Sequence, residues 1–266
     1  MIKIDVRSYL ENEGLTPISL ETFNWYIRRN LTLQERYDLE KIWDDYTRRG
    51  DAEGTKAWYT FSYGKRIEEL DCSFSELWIR TGYLNCTEAI LPHIAHFCES
   101  SEVSNVLDCG CGEGINLGYL SLCFPEKSFT GIDRIPEAIE LSKKRLERLG
   151  VKNGNLICTD CYAFAQTNPD PFDSIIMLNI LDDEREAWSD FQELLYDTQR
   201  KTEAIRPLLK DTSKIFLSLL PYPESEFKTR LLGPIESAGF KISQSFITTY
   251  EMNQKSHDHY TWILEL

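Results

Sequence analysis

The chain has 266 residues, room for a sizeable core, and its 42% apolar and 27% charged residues are the balance of an ordinary folded protein. Its longest apolar run, Ile215-Phe216-Leu217-Ser218-Leu219-Leu220, has strand length and falls far short of the roughly 18 residues of a membrane span. A net charge of −14 repels a phosphate backbone, and the basic clusters Arg28-Arg29, Arg48-Arg49 and Lys143-Lys144-Arg145 are short and lie among acids, so nucleic acid is not the expected partner.

The start, Met1-Ile2-Lys3-Ile4-Asp5, carries no apolar signal core, which predicts a cytoplasmic protein. Eight cysteines then read as reduced and buried. Cys109-x-Cys111 and Cys158-x-x-Cys161 do not reproduce a pair of C-x-x-C knuckles, and no metal site is expected.

Residues 1–100 show helical spacing. Leu20, Phe23, Ile27 and then Leu39, Ile42, Trp43, Tyr46 recur at three- and four-residue steps, predicting helices over about 18–29 and 32–48. Thr32 and Glu35 form a capping box for the second helix. Gly50 to Gly54 breaks the pattern. The stretch 57–85 is rich in aromatic residues (Trp58, Tyr59, Phe61, Tyr63, Phe74, Trp78, Tyr83), which serve either as the core of a small cap or as walls of a pocket. A further helix spans 87–97, with Pro92 expected to kink it. This divides the chain into an N-terminal helical cap, 1–100, and a second domain, 101–266.

From residue 104 strands and helices alternate. Strands are predicted at 104–109, 128–133, 155–159, 173–179 and 214–220, with helices at 115–123, 136–149, near 184–208 and at 224–238. Two terminal strands, 241–250 and 259–266, have no helix between them and must form an antiparallel hairpin. The fold class is therefore α/β: a doubly wound, seven-stranded, mostly parallel sheet.

The first strand, Val106-Leu107-Asp108, enters Cys109-Gly110-Cys111-Gly112-Glu113-Gly114 and then a helix. Glycine suits a turn that reverses sharply and lets a ligand lie against the backbone. A dinucleotide fingerprint needs its third glycine at position 115, which is Ile, and no Gly-Lys-Ser/Thr follows for a phosphate loop.

The pattern Asp108-x-Gly110-x-Gly112-x-Gly114 resembles the first motif of the class I S-adenosylmethionine-dependent methyltransferases. Three further motifs follow in order, so that the resemblance covers about residues 104–250. Phe129-Thr130-Gly131-Ile132-Asp133 ends the second strand with an acid placed to accept ribose hydroxyls, followed by Arg134 and by Ile135 as an apolar floor for adenine. Leu156-Ile157-Cys158-Thr159-Asp160-Cys161-Tyr162 ends the third. The resemblance implies that Asp160 takes the adenine amino group and that the Cys161 backbone N–H meets a ring nitrogen, while Tyr162 stacks or belongs to the core. Pro171 to Asp183 resembles the fourth motif, with Asn179 and Ile180 at the strand end where the methyl group points.

The cofactor residues implied are thus Asp108, Cys109, Gly110, Gly112, Asp133, Arg134, Ile135, Asp160, Cys161, Tyr162, Asn179 and Ile180, and the cofactor is S-adenosyl-L-methionine. Methyl transfer is a displacement in which orientation counts for most. An oxygen or amide acceptor also needs a base, for which His257, His259, Asp182 and Asp183 are the candidates beside Asn179. No Asn-Pro-Pro-Tyr signature is present; Asn179-Ile180-Leu181-Asp182 stands in its place. The resulting reading is methyl transfer to the N or O of a small molecule enclosed by the cap. A protein or peptide acceptor, or a non-catalytic cofactor-binding subunit, is the alternative, and pairing of two copies through the cap is a further expectation.

Overall fold

The computed structural model describes residues 2–49, 52–167, 170–179, 199–200, 202–219, 231–252 and 255–266. Of the sequence expectations, Ile180, Asp182, Asp183, most of the helix near 184–208 and the first part of that at 224–238 lie outside the described residues.

In chain order the helices are α1 (Val6–Asn12), α2 (Leu20–Asn30), α3 (Leu33–Asp44), α4 (Ala52–Gly64), α5 (Phe74–Ile79), α6 (Tyr83–Phe97), α7 (Ile115–Cys123), α8 (Pro136–Arg148), α9 (Cys161–Thr167) and α10 (Leu232–Ser237). The strands are β1 (Arg66–Ile67), β2 (Cys72–Ser73), β3 (Asn105–Cys109), β4 (Ser128–Asp133), β5 (Gly154–Cys158), β6 (Phe172–Leu178), β7 (Leu209–Leu219), β8 (Lys241–Met252) and β9 (Lys255–Glu265). Short β1 and β2 pair as a small antiparallel ribbon inside the cap, where only helices were expected. The capping box of α3 is present in both directions: Glu35 N–H donates to Thr32 Oγ1, and Thr32 N–H to the Glu35 carboxylate.

The large sheet has the order β5-β4-β3-β6-β7-β9-β8, with β9 antiparallel to both neighbours and the other adjacent pairs parallel. Strand order reverses between β3 and β6, so a crevice opens above their carboxyl ends, the place where ligands bind in such sheets. Alternate residues feed opposite faces. Val106, Ile176 and Phe216 join one core with α6 and α7; Leu107, Ile175, Met177, Ile215 and Leu217 join another with α9 and α10.

β7 begins at Leu209 rather than at 214, because a bulge lets the pairing resume. Phe172 lies opposite Leu209 and Ser174 opposite Lys214, while Ser213 Oγ closes the gap by accepting from Lys210 N and donating to Phe172 O. Asp173, the acid of the fourth motif, sits at the amino end of the sheet and ties β6 to β3, accepting from Ser104 N, Ser104 Oγ and Asn105 N at 2.8–2.9 Å.

Packing runs across residue 100. Val6, Tyr9 and Leu10 of α1 and Ile90, Leu91 and Ile94 of α6 share one core with Phe129 and Phe216 of the sheet. The cap proper has its own core, built from Phe23, Ile27, Leu31, Trp58, Ile67, Phe74 and Leu77. Rings supply much of it: Phe74 stands edge-on to Phe23, Trp58 and Phe61. All eight cysteines are free; five are buried as expected, whereas Cys72 and Cys161 are half-buried and Cys158, at the end of the edge strand β5, is exposed. No helix among the described residues is long and apolar enough to cross a membrane.

Candidate active site

The glycine turn after β3 is tied down on both sides. Gly110 N–H and Cys111 N–H both donate to Ile132 O, at 2.7 and 3.0 Å, and Ser142 Oγ of α8 donates to Gly112 O at 3.1 Å. Gly110, Gly112 and Gly114 all have positive φ, of 69°, 54° and 75°. Each adopts the left-handed conformation that a side chain disfavours. At Gly114 a Cβ would come 2.3 Å from Ser142 Oγ, so this glycine lets α8 approach the turn.

Asp133 at the end of β4 reaches back to the same turn. Its Oδ2 accepts from Gly112 N at 3.0 Å and its Oδ1 from Ile135 N at 2.9 Å. Burial raises its pKa, with those backbone hydrogen bonds opposing. Asp108, 2% exposed beneath the turn, has its pKa pushed up to about 7 by burial and secondarily by the charge of Asp133. Its Oδ2 is buried and meets no hydrogen-bond donor.

A cavity of about 330 Å³ opens over these strand ends. Of the residues singled out in the sequence, Gly110, Gly112, Asp133, Arg134, Ile135, Asp160, Cys161, Tyr162, Asn179 and His259 line it together. Asp108 and Cys109 are buried below rather than in the wall; the Cys109 thiol is hydrogen-bonded to that of Cys161, which, with burial, holds its pKa high. His257 is not among the lining residues and stacks on Tyr250 in the terminal hairpin, at 5.8 Å between centroids. Asp160 Oδ1 caps the start of α9, accepting from Tyr162 N and Ala163 N at 2.9 Å each.

At the other end of the crevice Asn179, just beyond β6, has φ 55° and donates its N–H to Ser218 O at 2.9 Å. His259 of β9 lies with Nε2 3.4 Å from Asn179 Oδ1 and Nδ1 3.0 Å from Ser218 Oγ. Burial alone pushes its pKa down to about 4, so the imidazole is neutral at neutral pH.

Several lining residues were not picked out from the sequence. Tyr59 and Tyr63 of α4 stack on each other at 5.8 Å and 15°, and both face the cavity. Ile79, Cys86, Thr87 and Ile90 complete that side. Arg200 lies with its guanidinium 4.6 Å from the Tyr162 ring centroid. The aromatic density of 57–85 signalled the tyrosines only as a group, and nothing in the local sequence marked Arg200.

The family profile described as "Methyltransferase domain" matches residues 100–265. The chain belongs to the class I S-adenosylmethionine-dependent methyltransferases. Among curated relatives, it is 40% identical over 72 residues to the protein-L-isoaspartate O-methyltransferase of Pyrococcus abyssi. It is 36% identical over 69 residues to the ribosomal RNA small subunit methyltransferase G of Petrotoga mobilis. These stretches cover 27% and 26% of this chain and 32% and 31% of the relatives, so the chain spans about a third of the length of the curated relatives it matches.

Among solved structures, a methyltransferase of Leishmania major superposes with TM-score 0.56 at 12% identity, covering 81% of this chain and 85% of that one. The methyltransferase domain of bacterial CtHen1-C gives 0.53 at 16%, covering 68% and 99%. Both show the fold.

The residues present fit the cofactor of this family. Gly110 and Gly112 offer bare backbone to a ligand, and the Asp108 Oδ2 is a buried acceptor that a donor or cation over the turn would satisfy. Ile132 and Ile135 give the cavity an apolar floor next to the Asp133 carboxylate.

Proposed function

We propose that this chain transfers the methyl group of S-adenosylmethionine to the nitrogen or oxygen of a small molecule held between the cap and the sheet. When bound, the cofactor supplies an electrophilic methyl carbon. In this reading Gly110 and Gly112 hold its amino-acid portion, Asp133 its ribose, and Ile135, Asp160 and Cys161 its base. Asn179 and His259 face the acceptor.

The observation that carries the reading is that α4 and α6 line the same cavity as the glycine turn, through Tyr59, Tyr63, Cys86, Thr87 and Ile90. Walls on the acceptor side exclude water, which orients the reactants and strengthens electrostatic interactions between them. The net charge of −14 opposes an RNA acceptor. Association of two copies through the cap belongs to the same proposal, supported by exposed Leu20, Trp25, Leu33 and Tyr37 on α2 and α3.

The test is transfer of labelled methyl from S-adenosylmethionine in an extract separated by size. Label below about 1 kDa is expected, and label confined to protein or RNA would overturn the small-molecule acceptor.

A further inference from the structure

A second pocket, of about 220 Å³, lies where the cap meets α8, and among the described residues it shares no lining residue with the strand-end cavity. Its walls are the loop after α1, the β1–β2 ribbon, the end of α5 and the later turns of α8. Arg66, Arg80, Lys144, Arg145 and Arg148 line it against Glu13, Asp71 and Glu76, an excess of two positive charges in a chain whose net charge is −14. Like charges gathered from three separate elements repel one another, so the arrangement calls for a counter-charge.

Carboxylates of the protein meet part of that demand. Glu13, its side chain 3% exposed, holds Arg145 at 3.1 Å and also Arg148, and Glu76 Oε1 holds Arg145 at 2.6 Å. Asp71 pairs with Arg66, but its side chain is 93% exposed, and a pair open to water contributes little. Arg80 donates from Nε to Thr16 O at 2.8 Å and from Nη2 to Thr16 Oγ1 at 3.3 Å, contacts that fix the guanidinium without neutralising it. Glu140, one turn before Lys144 on α8, bonds Lys143 at 2.9 Å instead. Among the described residues, Arg80 and Lys144 are therefore pocket cations that no carboxylate pairs.

We propose that this pocket binds a small oxyanion of the phosphate class, held by Arg66 and Arg80 from the cap and by Lys144 from α8. Guanidinium forks match the oxygens of a phosphate group, and an ammonium adds a point charge beside them. A phosphate dianion balances the excess of two positive charges, where a single carboxylate offsets only half of it. The partial negative charge at the end of α8 opposes any anion, and Arg145 and Arg148 in the last turn offset it. Size limits the ligand further: about 220 Å³ is below the roughly 300–1,000 Å³ of pockets that enclose whole small molecules. Phosphate itself, or phosphate carrying a few carbons, suits that space better than a nucleotide. The bound anion bridges the cap to α8 beside Arg145, whose Nη1 donates to Glu113 O of the glycine turn at 3.3 Å.

The test is calorimetric titration of the full chain with inorganic phosphate, glycerol 3-phosphate and acetate, with sodium chloride holding the ionic strength at about 0.15 M. Saturable binding of at least one phosphate compound at one site is expected, with Kd of about 1 mM or lower. Tighter binding of inorganic phosphate would identify the free ion, and tighter binding of the ester the phosphate end of a metabolite; both outcomes support the site. Saturation by neither, or acetate binding as tightly as phosphate, would overturn it. Lys144→Gln and Arg80→Gln should each weaken the binding about tenfold. Lys143→Gln removes the same charge one residue away, outside the pocket lining, and should leave the affinity unchanged. Undiminished affinity in Lys144→Gln would put the anion elsewhere on the chain, and an equal loss in Lys143→Gln would reduce the effect to overall charge; either result overturns the proposal.

Discussion

The hydroxyl of Tyr63, carried by the cap, lies over Gly112, the middle glycine of the turn. A Cβ added at Gly112 would sit 3.1 Å from Tyr63 Oη while forcing a side chain to adopt φ +54°. The backbone conformation alone costs roughly 1–2 kcal/mol for a residue with a Cβ. Gly112→Ala should therefore weaken S-adenosylhomocysteine binding about tenfold or more by calorimetry. Gly112→Ala with Tyr63→Phe relieves only the contact and should stay well below the parent.

Asp133 has a second duty besides any ligand. Its two oxygens hold Gly112 N–H and Ile135 N–H, bridging the glycine turn to the start of α8. Hydrogen bonds to a charged group contribute roughly 1.5–3 kcal/mol each. Asp133→Ala should then lose stability in urea unfolding as well as cofactor affinity. A variant as stable as the parent would show that the bridge contributes little.

One guanidinium joins the cap to the body. Arg145 of α8, with a side chain 2% exposed, reaches Glu76 Oε1 at 2.6 Å and Glu13 Oε2 at 3.1 Å, and Glu113 O at 3.3 Å. Removing one partner from a buried ion pair costs about 3–5 kcal/mol, whereas an exposed pair contributes about 0–1. Arg145→Met should destabilise by the first amount. Arg148→Met, which takes an exposed partner from the buried Glu13 but leaves it Arg145, should cost less.

Buried acids make the ligand-free protein less stable as pH rises. Asp108, pushed up to about 7 from 3.8, stays protonated in the fold after it has ionised in the unfolded chain. Its contribution is full below about pH 3.8 and is lost as pH climbs to 7. Glu113 acts in the same direction, its pKa raised by burial and by Glu76. His259 opposes them: its depressed pKa makes stability rise with pH between about 4 and 6.5. Asp108→Asn should flatten the fall in melting temperature between pH 5 and 7, and a slope as steep as that of the parent would contradict this account.

The sheet was legible in the sequence because its strands are short apolar runs broken by glycine, and their carboxyl ends carry the motif residues. β3, β4 and α7 lie where the pattern puts them. The opposite wall of the cavity was not, since it is assembled from α4, α6 and β9, which are distant in sequence and meet only through packing. His257 and His259 looked equivalent; the register of β8 against β9, with Thr248 opposite His259 and Tyr250 opposite His257, does not say which ring enters the cavity. Asp160 shows a different limit, because an acid that starts a helix and an acid that holds a base share one sequence pattern.

The cap offers the last prediction. Deleting the cap is a poor probe, because the N-terminal segment belongs to the core of the sheet, with Tyr9 Oη donating to Ile115 O at 2.8 Å and Ile2 N to Cys123 O at 2.7 Å. Point changes on α4 avoid that. Tyr63 lines the cavity outside the cap's apolar core, whereas Tyr59 lines it and also packs against that core, so Tyr63→Ala removes wall and Tyr59→Ala removes wall with some support. If the cap forms one side of the site, both variants should keep the parent's urea midpoint within the change expected for a half-buried ring. They should nevertheless lose turnover about tenfold or more, through misplacement of the reactants. Tyr63→Ala, being next to Gly112, should also weaken S-adenosylhomocysteine binding, whereas Tyr59→Ala should affect it less. Loss of stability with full specific activity in the folded fraction would instead make these rings packing elements, and the cap a cover for the sheet rather than a wall of the site.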